Sequence, residues 1–135
     1  MAYTKPIGVA FTDQDINGAN VVLVDEQLGY TTAGQGTVTQ LTSKSTAVTL
    51  DKPAGQITMN NASLATVTNV TFTLTNSLLS TRDVLILNVT NGTSGAYNAF
   101  VSSMAAGSAT ITLRNISGGA LAEAVVINYA IIHCA

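Results

Sequence analysis

The chain is poor in charge. Of its 135 residues, 9% are Asp, Glu, Lys or Arg, against about 25% in an average soluble domain. Seven acidic and five basic side chains leave a net charge of −2. A lone soluble protein normally disperses mixed charge over its surface. Part of this surface is therefore expected to be covered by other subunits. The basic residues Lys5, Lys44, Lys52, Arg82 and Arg114 are scattered along the chain. Nucleic-acid binding needs a clustered basic footprint, so no nucleic-acid partner is expected.

Residues that carry chemistry are equally scarce. Tryptophan is absent and aromatics make up 5%, which leaves few platforms for stacking sugars. Tyr97 and Phe100 fall on one expected strand and read as packing residues. Cys134 is the only cysteine, so no internal disulfide can form, and its thiol fits synthesis in a reducing cytosol. His133 is the only histidine and has only Cys134 beside it, too little for a metal cluster. No Gly-x-Ser-x-Gly nucleophile elbow occurs. Ser43 and Lys44 are adjacent and would point to opposite faces of a strand, a poor Ser-Lys pair. Five of the seven acids lie in the first half, which does not favour paired carboxylates for glycoside hydrolysis. The protein is expected to be no enzyme and to hold no cofactor.

Long apolar runs are also missing. "ALAEAVVINYAIIHC" is too short for a bilayer span and carries Glu123 and Asn128, so no membrane partner is expected. "MAYTKPIGVAFTDQ" has no basic start followed by an apolar run, so no secretory leader is expected there.

What is present is a period of two. In "TNVTFTLTN", Val70, Phe72 and Leu74 face one way and Thr71, Thr73 and Thr75 the other. "SATITLRN" sets Ala109, Ile111 and Leu113 against Thr110, Thr112 and Arg114. Both read as strands with one buried and one wet face. "DVLILNV" and "AVVINYAII" are apolar on both faces, which predicts central strands covered on both sides, the second cover being a neighbouring subunit. Further strands are expected in "TVTQLT", "TAVTL" and "GQITMN" and from near Ala96. Asn91-Gly92 with Gly95, Ala105-Ala106-Gly107, Ser117-Gly118-Gly119 and Lys52-Pro53-Ala54-Gly55 supply the turns. The expected fold is all-β: a sandwich or jelly-roll-like domain of about eight antiparallel strands.

The first 35 residues differ. "GYTTAGQG" is a Gly-rich linker, and before it "IGVAFTDQDI" and "ANVVLVDEQ" form an expected hairpin about Asn17-Gly18. The chain therefore divides into an extended amino-terminal arm, residues 1–35, and a β-domain, residues 36–135. Tyr3, Pro6, Ile7, Phe11 and Tyr30 give the arm its expected partner contacts. Asp13, Asp15, Asn17 and Gly18 begin like an EF-hand calcium loop. Such a loop needs a bidentate Glu at its twelfth position, where this chain has Val24. The segment reads as a hairpin turn, with Asp13, Asp15 and Asn17 remaining candidate ligands for a calcium site of another kind. Asn-x-Ser/Thr sequons at Asn61, Asn69, Asn88, Asn91 and Asn115 reflect an Asn- and Thr-rich composition.

Two segments, "GTVTQLTSKSTAVTLDKPAGQITMNNASL" (residues 36–64) and "ITLRNISGGALAEAVVINYAII" (residues 111–132), resemble a small β module of tailed-bacteriophage virion structural proteins. The resemblance implies a structural protein of the particle, made in the host cytoplasm, with no catalytic residue to carry over. The compact domain and absence of a repeat or coiled-coil shaft point to a capsid decoration, or cement, protein. Its expected partners are itself, as a homotrimer, and the major capsid protein at the outer surface of the virion. A tail, neck or fibre-attachment module for host adhesion is the alternative, and a calcium- or sugar-binding lectin-like domain the third.

Overall fold

A computed structural model describes residues 21–134. Eight strands follow a short 3₁₀ turn at Thr32–Gly34: β1 (Gln35–Thr39), β2 (Val48–Thr49), β3 (Ala54–Thr58), β4 (Asn69–Thr75), β5 (Val84–Asn91), β6 (Tyr97–Ala105), β7 (Ser108–Asn115) and β8 (Val126–Ile132). They form two four-stranded sheets, ordered β1-β3-β8-β5 and β2-β4-β7-β6. The fold is an all-β sandwich, and no α-helix occurs among the described residues.

Alternation decides which side chains meet between the sheets. Phe72 and Leu74 of β4, Ile111 and Leu113 of β7, and Ile57 and Ile127 of the facing sheet are all buried. Their neighbours on the same strands, such as Thr71, Thr73 and Thr110, point outward. Each large aliphatic or aromatic side chain so buried contributes about 1.5–3 kcal/mol relative to exposure. Thr112 is an outward residue that is nonetheless buried. It sits mid-sheet, sharing hydroxyl hydrogen bonds with Thr71 at 2.9 Å and with Ser102.

Two pairings depart from the antiparallel expectation: β1 with β3, and β2 with β4, are parallel. The other pairings in both sheets are antiparallel. The first four strands alternate between the sheets, so each connection crosses the sandwich. Reversing direction at every crossing brings strands two apart back into one sheet running the same way. The expected turn Lys52-Pro53-Ala54-Gly55 lies at such a crossing, with Ala54 and Gly55 already in β3. Gly55 is needed there because a Cβ would lie 2.6 Å from Leu50 Cδ2 and 2.9 Å from the Gly36 carbonyl oxygen.

Three further expectations change. β8 is central, but β5, the other doubly apolar strand, lies at the sheet edge. The Gly-rich segment is more than a linker, since it holds the 3₁₀ turn and the start of β1 at Gln35. Residues 21–24, in the expected second strand of the amino-terminal hairpin, are not in a strand. Their apolar side chains have no core to enter within the described residues, and all four are exposed.

Candidate interaction surface

The outward face of the first sheet is built by register. Thr37, Gln56, Asn128 and Asn88 stand side by side across its strands. Gln56 Nε2 donates to Asn128 Oδ1 at 2.9 Å, making an uncharged row of amides and a hydroxyl. This row borders a shallow depression of about 500 Å³ that also touches Thr32, Gln35 and Ala54. Toward the start of β5 the same face turns apolar. Val84 pairs with Ile132 and Ile86 with Ala130, and Val84, Ile86 and Ile132 are 50%, 49% and 52% exposed.

Tyr30 lies against this apolar end. Its hydroxyl donates to the Ile131 backbone carbonyl, and Gln35 Nε2 donates back to the Tyr30 carbonyl at 3.2 Å. Leu28, Gly29 and Tyr30 thus close one side of a groove of about 430 Å³ whose floor is Ile86, Ala130, Ile131 and Ile132. Of the arm's expected contact residues, Tyr30 alone is placed: it touches the chain's own β8 and keeps part of its ring exposed. Tyr3, Pro6, Ile7, Phe11 and the calcium candidates Asp13, Asp15 and Asn17 lie outside the described residues.

At the ends of the sandwich, polar side chains tie loops together. Lys44 is buried; its ammonium donates to the carbonyls of Asn60 at 2.5 Å and Glu123 at 2.6 Å. Burial pushes this amine below the ordinary lysine range, and the Glu123 carboxylate partly restores it. Gln40 sits beside it, donating to the Lys44 and Thr46 carbonyls and accepting from the Asn60 N–H. Ser43 and Lys44 occupy a turn, where the lysine is committed to carbonyls and the serine to Ser45 and Thr46.

The Glu123 carboxylate accepts the Thr93 N–H at 2.8 Å, which holds it below the usual carboxylate range. The Tyr97 hydroxyl beside it is buried and makes no hydrogen bond of ordinary geometry among the described residues. Burial, and then the neighbouring carboxylate, raise that phenol.

At the carboxyl end, Asp83 accepts from the Cys134 N–H at 2.9 Å, from the Ser80 N–H and hydroxyl at 2.8 Å each, and from His133 Nδ1 at 2.8 Å. These donors, Cys134 foremost, hold its carboxyl far below the usual range against the opposing effect of burial. The arrangement fastens the chain end to the start of β5. Tyr97 and Phe100, both on β6, point to opposite sides: Tyr97 is partly buried against the core, whereas Phe100 faces outward. They form no shared sugar platform.

Comparison with known protein families, with curated proteins and with solved structures returns no match.

Double apolarity in β5 and β8 was the signal for the apolar end of this surface. Nothing local marked the buried polar residues Gln40, Lys44, Asn76, Asp83 and Asn115. Asn115 belongs to a sequon, yet its amide is buried and donates to the Leu64 and Gly119 carbonyls at 2.9 Å. A glycan cannot be attached there in the folded chain.

Proposed function

We propose that the protein is a structural component of a tailed-bacteriophage particle: a capsid decoration protein that sits on the outer head surface and stabilises it by bridging major capsid subunits. The virion setting rests on the resemblance in residues 36–64 and 111–132. The observation that supports an assembly role is the uncharged outer face of the first sheet, with its exposed Val84, Ile86 and Ile132 beside Tyr30. Such a patch, in a chain with so few charges, is suited to burial against other protein. Its work is surface burial, about 1,600 Å² for an interface of standard size, multiplied over many copies. A closed homotrimer is the symmetric form we propose.

Adding the purified protein to isolated heads stripped of accessory proteins tests this reading. Binding in hundreds of copies per particle, with a raised temperature of head disruption, is expected. No binding to heads overturns it. The amide-lined depression by Gln56 and Asn128 favours a second reading, a host-adhesion module at tail or neck. A few dozen copies or fewer per particle, located away from the head lattice, would select that one.

A further inference from the structure

The described chain carries two unsatisfied features of matching chemistry. One is Val21–Val24, an apolar run outside any strand, with Val21 69% and Leu23 88% exposed. The other is the free edge of β5, which pairs with β8 on one side and with nothing on the other among the described residues. Every second residue of an edge strand turns its N–H and C=O away from its neighbour, a template for another strand. A bulge between Val89 and Asn91 disrupts the far end of β5, as bulges on edge strands commonly do. That leaves Val84–Val89 in regular register, and its apolar first part, Val84–Leu87, is long enough to face the four residues of Val21–Val24.

Charge favours one orientation. Asp25 and Glu26 follow the run, and Arg82 precedes β5. Antiparallel pairing brings the two acids toward the exposed arginine, the intervening Asp83 being buried and already held by Ser80, His133 and the Cys134 N–H, whereas parallel pairing carries them away. The arm's own anchorage argues for exchange. Leu28 and Tyr30 sit over the outer face of the sheet, with Tyr30 bonded to β8. From there the run leaves its own β5 edge unpaired, and its side chains stand in the open.

We propose that Val21–Val24 of one copy adds as an antiparallel strand to the Val84–Leu87 edge of a neighbouring copy, extending that copy's first sheet. Main-chain hydrogen bonds supply the pairing. Val22 and Val24 of the added strand, opposite Ile86 and Val84, continue the apolar face of Val84, Ile86 and Ile132. Each copy gives an arm and receives one, so a closed ring leaves no unpaired β5 edge. The inference rests on the assembly reading above and names the contact by which copies hold one another.

Light scattering of the full chain after size exclusion, at micromolar concentration, is the first measurement. The parent is expected to be an oligomer, and Ile86→Lys and Val22→Pro, both at exposed positions, to shift it to monomer with unchanged circular dichroism. A second measurement removes dependence on those variants. Two differently tagged chains, one Val22→Cys and one Ile86→Cys in a Cys134→Ser background, are mixed and oxidised. A disulfide joining the two tags is expected. Two outcomes overturn the proposal: an oligomer that neither variant dissociates, or a Val22→Cys, Ile86→Cys double variant that cross-links only within one chain. Head binding is scored separately. A monomer that still binds heads sinks the exchanged arm alone, and an arm-exchanged oligomer that does not bind heads sinks the decoration role alone.

Discussion

Lys44 and Glu123 are 79 positions apart, and the lysine ammonium donates to the glutamate's backbone carbonyl at 2.6 Å. The same ammonium also reaches the Asn60 carbonyl. One buried cation thereby ties the β1–β2, β3–β4 and β7–β8 connections at a single end of the sandwich. Its charge is placed for cohesion, since both acceptors are main-chain oxygens.

Replacing it should therefore cost stability. Lys44→Met leaves two inward carbonyls without their donor, a loss of about 2 kcal/mol. Lys52→Met, which removes a donor to the Ala33 carbonyl at the exposed surface, should change stability by about 0.5 kcal/mol or less. Urea unfolding midpoints of the two variants, at unchanged slope, make the comparison.

Tyr129 makes stability depend on alkaline pH. Its hydroxyl donates toward the Lys52 carbonyl at 3.0 Å, and burial pushes the phenol up from 10.0 to about 12. The neutral form is thus favoured in the folded state. Between pH 10 and 12 the unfolded chain releases a proton that the folded chain retains, so stability falls as pH rises through that window. Tyr97, raised also, adds to the fall, whereas Lys44, lowered from 10.5, acts in the opposite sense and mainly below that window. Tyr129→Phe should make the decline shallower, as read from denaturation midpoints at stepped pH.

Glycine tolerance should split by position. Gly55→Ala forces a methyl to within 2.6 Å of Leu50 and 2.9 Å of the Gly36 carbonyl oxygen, an overpacking cost of about 1–3 kcal/mol. Gly118 has open space around its Cβ position and no positive φ, so Gly118→Ala should be neutral or slightly stabilising. Melting temperatures measured side by side test the contrast.

Val67 is held at φ +54, and its side chain is 63% exposed. A β-branched residue in the left-handed region costs about 1–2 kcal/mol, with little buried area to offset it. Val67→Gly or Val67→Asn should raise stability by about 1 kcal/mol. An unchanged or lower melting temperature for both variants would show that the valine side chain compensates locally.

Strand positions and faces were legible in the chain because alternation is a property of the strand itself. Val70, Phe72 and Leu74 pointed inward as their spacing required. Thr71 and Thr73 pointed outward because a period of two leaves no other option. The double apolarity of β5 and β8 likewise marked the exposed apolar side chains Val84, Ile86 and Ile132. Thr-, Asn- and Gly-rich composition, with turn signals between short apolar runs, sufficed for an all-β sandwich.

Pairing was decided only in three dimensions. Whether a turn such as Lys52–Gly55 folds a hairpin or crosses between sheets depends on where the next strand finds a vacant edge, and no local residue encodes that. The same holds for the edge place of β5, since being apolar on two faces says nothing about which neighbour arrives. Lys44, Gln40 and Asp83 became buried because carbonyls and amides from distant loops converge on them. Alternation is a short-range consequence of backbone geometry, whereas sheet order and polar satisfaction are set by contacts between residues far apart in the chain.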